Sequence, residues 1–343
     1  MNSNFLITGI AGFIGSSIAK KLLSNGVNII GIDNLNDYYD ISLKNARLRE
    51  IEKIAKKNKT RFVFKEVCIA DFNTLKNIFS SEKPSVIIHL AAQAGVRFSI
   101  ENPSLYVQSN LVGFNNILEI SKQSNIEHII YASSSSVYGG NKNLPYKENQ
   151  SVDHPVSIYA ATKRSNELMA HTYSHLFKIP LTGLRFFTVY GPWGRPDMAP
   201  FLFTKSIIEG KTIRVNNYGL MKRDFTYIDD ITEAIYKCCN KPATANMQFN
   251  SFDPDPSSSL APHRIFNIGN NKPIKLLDYI DALEKNLNKK AKINFLPLQP
   301  GDVPDTYASM DNLEKQFNYR PSTSVIDGVS KFVNWFKDYY QYV

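Results

Sequence analysis

The stretch that decides the fold is Thr8-Gly9-Ile10-Ala11-Gly12-Phe13-Ile14-Gly15. It sits between the apolar run Phe5-Leu6-Ile7 and a helical pattern carried by Ile14, Ile18, Leu22 and Leu23. Glycines spaced G-x-x-G-x-x-G let a chain leave a strand, turn tightly and approach a pyrophosphate. That anion then rests on a helix N-terminus, where free N–H groups and the dipole favour it. Glycines alone would punctuate any turn, so the surroundings decide. The next apolar run, Val27 to Ile32, ends on Asp33, 18 residues after Gly15. A carboxylate there can accept both hydroxyls of a ribose and repels a 2′-phosphate, which selects NAD over NADP.

Outward from this turn, apolar runs of strand length recur at Phe62 to Val67, Val86 to Leu90, Ile129 to Ala132 and Leu181 to Phe186. Stretches of 3.6-residue periodicity separate them, such as Leu111, Phe114, Ile117 and Leu118. Continuous apolar strands alternating with amphipathic helices predict a doubly wound parallel α/β (Rossmann) sheet covered on both faces. After about Tyr190 the texture changes. Pro192, Pro196 and Pro200 crowd one segment, Phe252 to Ser259 reads as a loop, and Arg264 to Ile268 as one more short strand. The expectation is a nucleotide-binding domain over 1–188, with segments around 223–243 and 264–270 returning to it. A smaller mixed α/β substrate domain then spans 189–343.

The 343 residues carry 40 Lys and Arg against 31 Asp and Glu, a formal charge of +9. The basic runs Lys53, Lys56, Lys57, Lys59 and Lys285, Lys289, Lys290, Lys292 fall where helices end and lack interleaved aromatics. They read as solvated faces, not as a nucleic-acid surface. Cys68, Cys238 and Cys239 are too few and too badly placed for a disulfide framework, which points to a reducing compartment. The opening MNSNFLITG shows no leader, and no run reaches the roughly 18 to 20 apolar residues of a membrane span. A cytoplasmic protein without membrane partners is expected. No metal is expected either.

A second constellation carries chemistry. Ser133-Ser134-Ser135-Ser136-Val137-Tyr138-Gly139 follows a strand, and Tyr159-Ala160-Ala161-Thr162-Lys163 comes later on a helical pattern. Positions i and i+4 share a helix face, so Tyr159 and Lys163 point the same way. A phenol with its ordinary pKa near 10 is a poor base at neutral pH; a neighbouring ammonium favours the phenolate. Ser134, Ser135 and Ser136 offer hydroxyls that could steady charge on a reacting oxygen. An isolated Y-x-x-x-K is usually a solvated pair; downstream of a dinucleotide turn and a serine-ended strand it is a catalytic candidate.

Together these motifs resemble the extended short-chain dehydrogenase/reductase superfamily. The likeness spans nearly the whole chain. GIDNLNDYYD (31–40), HLAAQAGVR (89–97), LRFFTVYGPWGRP (184–196), RDFTYIDD (223–230), APHRIFNIGN (261–270) and QPGDVP (299–304) resemble the UDP-glucuronate 4-epimerases. Thr188 carries weight here, since UDP-galactose epimerases usually have asparagine at that position. The resemblance implies NAD held by Gly9, Gly12, Phe13, Ile14, Gly15, Asp33, Asn34, Ile69, Asp71, Ala91 and Ala92, with Tyr159 and Lys163. It implies a UDP-sugar substrate and a homodimer built on helices around Leu105 to Ser121 and Ile158 to Leu176. Arg195, Thr188 and a serine such as Ser135 would grip a C6 carboxylate, with Arg97 assisting. Arg223 would clamp the pyrophosphate, and Asn267 and Asp302 would reach the uridine.

One position departs from the pattern. Cys68 stands where the superfamily usually has an aspartate against adenine, so either the contact is dropped or Asp71 covers it. Three rival readings remain. UDP-glucuronate decarboxylases tend to have glutamate just before V-Y-G, where this chain has Ser136. Epimerisation of a neutral or N-acetylated UDP-hexose would leave Arg195 an uncompensated charge. A non-enzymatic NAD-binding relative would often lack the tyrosine or the lysine.

Overall fold

The computed structural model describes residues 4–342. Its centre is a seven-stranded parallel sheet. The strands are β1 (Asn4–Thr8), β2 (Asn28–Asp33), β3 (Phe62–Glu66), β4 (Val86–His89), β5 (His128–Ser134), β6 (Leu181–Phe186) and a seventh, His263–Ile268. Their order across the sheet is His263–Ile268, β6, β5, β4, β1, β2, β3. After β3 the chain crosses back over β1 to start β4, so the connections diverge at the β1/β4 boundary. That divergence opens a crevice at the C-terminal ends of the strands, where ligands of such sheets bind.

Side chains alternate across each strand, and the two cores record it. Phe5 and Ile7 belong to one buried cluster while Leu6 belongs to the other. Val86 and Ile88 divide from Ile87 in the same way, and Ile130 divides from Ile129 and Tyr131. Both faces are apolar because helices cover both, which is why these strands read as unbroken hydrophobic runs.

Helix α1 (Phe13–Ser24) follows the glycine turn, α2 (Ile41–Asn58) is capped by Asp40 and α3 (Phe72–Glu82) by Asp71. Between β4 and β5 lie two single turns, α4 (Phe98–Glu101) and α5 (Pro103–Tyr106), a π-helical stretch Val107–Val112, and α6 (Gly113–Ser121). Helix α7 (Ile158–Phe177) follows β5, with the Ser157 hydroxyl accepting from Ala160 N at 3.1 Å. The lysine runs do fall at helix ends. Lys56 and Lys57 lie in the last turn of α2, and Lys289 and Lys290 lie just beyond the helix Leu276–Leu287. Cations there complement the carbonyl end of the dipole.

Beyond residue 188 the chain alternates between covering the crevice and rejoining the sheet. Helix Ile228–Cys239 lies against α1, with Lys21 Nζ 2.9 Å from Glu233. Strands Thr188–Tyr190 and Phe225–Tyr227 pair in parallel, as do Thr212–Val215 and Lys292–Phe295. Segments of three or four residues are too short to show a period, and the sequence did not reveal them. Asp224 holds this region together: its carboxylate accepts from Asn270 N (2.7 Å), Asn271 N (3.1 Å) and Ala308 N (3.0 Å). Burial still pushes that carboxyl up to about 6.

Candidate active site

The cofactor end is built by β1, α1 and β2. Gly9 has φ +72°, and a Cβ there would lie 2.7 Å from Ala91 N, so no side chain fits between the turn and the β4 exit. Gly12 starts α1 without a side-chain cap, leaving the first-turn N–H groups of Phe13, Ile14 and Gly15 open to an anion. The Asp33 carboxylate closes the turn, accepting from Ala11 N and Leu35 N, each at 3.0 Å. Burial raises its pKa, and those two N–H groups together with Lys44 pull the other way. Asn34 is exposed and steadies its own loop through Asn36 N. Thr8 Oγ1 receives Ala91 N at 3.2 Å and meets His89 Nδ1 at 2.9 Å, which sets the path of Ala91 and Ala92. Ile69 is buried and packs over Gly113. A glycine cradle and a carboxylate at the end of β2 together fit NAD.

Two findings amend the sequence reading here. Asp71, the alternative to Cys68 at the adenine, is exposed and caps α3, its oxygens accepting from Thr74 N at 3.1 Å and Thr74 Oγ1 at 2.6 Å. Arg47 on α2, not singled out from the sequence, is 1% exposed. Its Nη1 donates to Ala11 O (2.9 Å) and Tyr39 Oη (2.6 Å), its Nη2 to Trp193 O (2.6 Å). It ties the glycine turn to the segment that precedes Arg195. No local pattern announces such a role, because the two backbone carbonyls it joins lie 36 and 146 residues away.

At the catalytic end, Ser134 closes β5 and its Oγ accepts from Ser136 N at 3.1 Å. The Tyr159 phenol faces Ser134. Burial raises the phenol's pKa, and Ser134 and the nearby Arg195 lower it. Lys163 is buried and donates to Ala132 O at 2.9 Å; burial pushes its ammonium down to about 8. The Ser135 and Ser136 side chains are half-buried, and their hydroxyls make no hydrogen bond among the described residues. Behind the serines lies a fully buried network. Arg185 forks onto Glu167 through Nε (2.8 Å) and Nη2 (2.9 Å), and Glu167 accepts from Ser133 Oγ at 2.6 Å. Glu167 lies one turn beyond Lys163, so this ion pair locks α7 to β5 and β6 and fixes where Tyr159 and Lys163 emerge. Tyr106 sets its ring edge-on to Tyr159, centroids 6.1 Å apart.

The remaining candidates divide into open and occupied groups. Thr188 is half-buried, with a hydroxyl that makes no hydrogen bond among the described residues. Arg195 is bonded to Asp197, a partner the sequence reading did not assign. Arg97 and Asp302, expected to touch different parts of a substrate, pair with one another at 2.7 Å. Arg223 donates to Pro304 O and Val303 O, each at 2.7 Å, and so shapes the 302–305 loop. Asn267 corrects its expected role at the uridine. It is 0% exposed, accepts from Tyr138 Oη at 2.7 Å and donates to Tyr146 O at 2.9 Å, so it belongs to the frame.

Among known proteins, the sequence model of the GDP-mannose 4,6-dehydratase family matches residues 6–332. The chain is 55% identical over 336 residues to the protein CapI of Staphylococcus aureus, covering 98% of this chain and 99% of that one. It is 45% identical over 341 residues to UDP-glucuronate 4-epimerase 2 of Arabidopsis thaliana, covering 98% of this chain and 76% of the relative. The crystal structure of UDP-glucuronic acid 4-epimerase from Bacillus cereus in complex with UDP-glucuronic acid and NAD has a similar fold, with a TM-score of 0.85 at 32% identity. That likeness covers 98% of this chain and 100% of the other. The glycine turn with Asp33, the Ser134–Tyr159–Lys163 grouping and identity at this level over 98% of the length lead to one placement. The chain belongs to the UDP-glucuronate 4-epimerase family of the extended short-chain dehydrogenases/reductases.

Proposed function

We propose that this protein interconverts UDP-glucuronate and UDP-galacturonate by inverting C4 of the sugar through a 4-keto intermediate. One observation carries the reading: Tyr159 faces Ser134, with Lys163 one turn along, at the edge of a crevice whose other wall is the glycine turn and Asp33. NAD, when bound, supplies the acceptor and then the donor of the C4 hydride. Tyr159 as phenolate takes the proton from the 4-hydroxyl and later returns it. Ser134 and Arg195 favour that phenolate, Lys163 would hold the nicotinamide ribose, and Ser134 hydrogen-bonds the reacting oxygen. Between the two transfers the sugar turns about its link to UDP and presents its other face. Arg195, Thr188 and Ser135 hold the C6 carboxylate, and Arg223 faces the pyrophosphate. Residues 1–188, with 223–243 and 264–270, form the NAD half in this reading, and 189–343 the UDP-sugar half.

The purified protein should carry NAD and convert UDP-glucuronate with none added, because each cycle returns the hydride it took. Proton NMR of the products and nucleotide analysis of denatured protein check both statements. A strict dependence on added nucleotide would count against the closed cycle, and a preference for NADP would remove Asp33 from the ribose. A neutral UDP-hexose is a second reading, favoured by the Asp197 carboxylate that already compensates Arg195. UDP-glucose in the same assay decides it.

The exposed Leu105, Val112, Leu168 and Leu176 lie on the α5–α6 region and on α7. We read them as one face of a homodimer, since clustered apolar side chains are covered in stable proteins. Leu168→Glu should shift the protein from dimer to monomer in sedimentation velocity; an unchanged sedimentation coefficient would move the interface elsewhere. The free thiols Cys68, Cys238 and Cys239 support a reducing, cytoplasmic setting.

A further inference from the structure

A guanidinium presents its five N–H donors in one plane along more than one edge. In Arg195 one edge is taken: Nε donates to Asp197 Oδ1 at 3.0 Å and Nη2 donates to Asp197 Oδ2. Nη1, on the far edge, has no hydrogen-bond partner among the described residues. Asp197 is itself held from a second side, its Oδ2 accepting from Tyr38 Oη at 3.1 Å. Tyr38 belongs to the loop that leaves β2 just after Asp33. Its hydroxyl fills a slot left by Gly95 (φ +105°), where a Cβ would lie 2.6 Å away, and Phe98 packs its ring at 5.0 Å. Arg195 keeps the Asp197 carboxyl below the usual carboxylate range, so the pair is charged at neutral pH.

We propose that Asp197 sets the sugar preference of the site, acting as a built-in counter-charge that tempers the hold of Arg195 on an acidic sugar. The inference rests on Arg195 as the group that meets the C6 carboxylate. A uronate arriving at the open Nη1 edge completes a carboxylate–guanidinium–carboxylate row with one negative charge in excess. Its attraction to Arg195 is offset by repulsion from Asp197 across the width of the guanidinium. A neutral hydroxymethyl group meets no such repulsion and leaves no unpaired cation behind it. Asp197 therefore narrows the gap between acidic and neutral sugars and eases the departure of an acidic product. Tyr38 works in the opposite sense to the charge it touches. By donating to Oδ2 it satisfies part of Asp197, and without it Asp197 would lean harder on Arg195.

The test measures Kd for UDP-glucuronate, UDP-glucose and UDP by calorimetry on NAD-loaded protein. Asp197→Asn keeps the shape and removes the charge. It should tighten UDP-glucuronate by about tenfold and leave UDP-glucose and UDP within about twofold. Tyr38→Phe should move UDP-glucuronate the other way, about threefold weaker, with UDP-glucose unchanged. If Asp197 only positioned Arg195, both variants would weaken the uronate, and that result overturns the proposal. Asp197→Ser provides a second neutral variant; loss of fold in both neutral variants would mark Asp197 as structural and also overturn it. Wild-type protein that neither binds nor converts UDP-glucuronate would instead refute the carboxylate reading of Arg195, and that outcome is separate from either variant result.

Discussion

Tyr159→Phe should lower turnover on UDP-glucuronate by about 10²–10⁴ while substrate affinity stays nearly constant, which is what a positioned acid–base group is worth. The change is small in shape. The ring keeps its edge contact with Tyr106, and Lys163 keeps its bond to Ala132 O, so the frame around the missing hydroxyl survives. What disappears is the hydroxyl proposed to take the 4-hydroxyl proton. Burial works against the phenolate, and Ser134 and Arg195 work for it, so the site has arranged partners for the charged form of this side chain. Single-turnover NMR of the product and calorimetric Kd values separate chemistry from binding. Turnover at the wild-type rate would place the base elsewhere.

Arg195→Ala should cost UDP-glucuronate on the order of 2–5 kcal/mol in transition-state binding and UDP-glucose far less, because truncating one member of a charge pair strands the other. Asp197 deepens the loss: with the guanidinium gone, its carboxylate faces the uronate directly. A second effect follows from the chemistry of the intermediate. The C4 ketone is β to the C6 carboxylate, and such acids lose carbon dioxide when the breaking bond stands perpendicular to the carbonyl plane. Freed from Arg195, the carboxylate can rotate into that orientation, so a UDP-pentose by-product should rise above its wild-type level. Mass spectrometry of the product mixture checks it. Equal losses on acidic and neutral sugars would place Arg195 on the diphosphate, which every UDP-sugar shares.

The sheet was legible because strands buried on both faces leave an unbroken apolar signature; Leu181 to Phe186, read from the sequence alone, are the bounds of β6. Asp33, Tyr159 and Lys163 could be proposed from the sequence because their spacing from a glycine turn or from each other is itself the geometric requirement. Side-chain direction and long-range partners were not legible. Asn267 sits in a motif whose position suggested a ligand contact, yet it points into the frame between Tyr138 and Tyr146. Arg47 gave no local signal for its bond to Trp193 O, which lies on a segment brought near only by the crossing of the chain over the sheet; Asp197 pairs locally with Arg195 two residues before it, and only its bond from Tyr38 depends on the fold. Asp71 shows the converse: a cap is a local event, and Thr74 three residues on is its sequence signal.

The seventh strand has a bearing on how this chain is made. All six residues of β6 are buried, and one of its two neighbours in the sheet is His263–Ile268. A ribosome that has finished β6 has still to synthesise 76 residues, 187–262, before that neighbour begins. At roughly 5–20 residues per second this takes ~4–16 s. Throughout that interval the nascent chain carries an apolar sheet edge with unpaired N–H and C=O groups, the template on which chains aggregate. A fragment ending near residue 188 would remain in that condition permanently. The 188 residues proposed to bind the cofactor therefore lack one strand of their own sheet, and covering that edge depends on the last quarter of the polypeptide arriving in time.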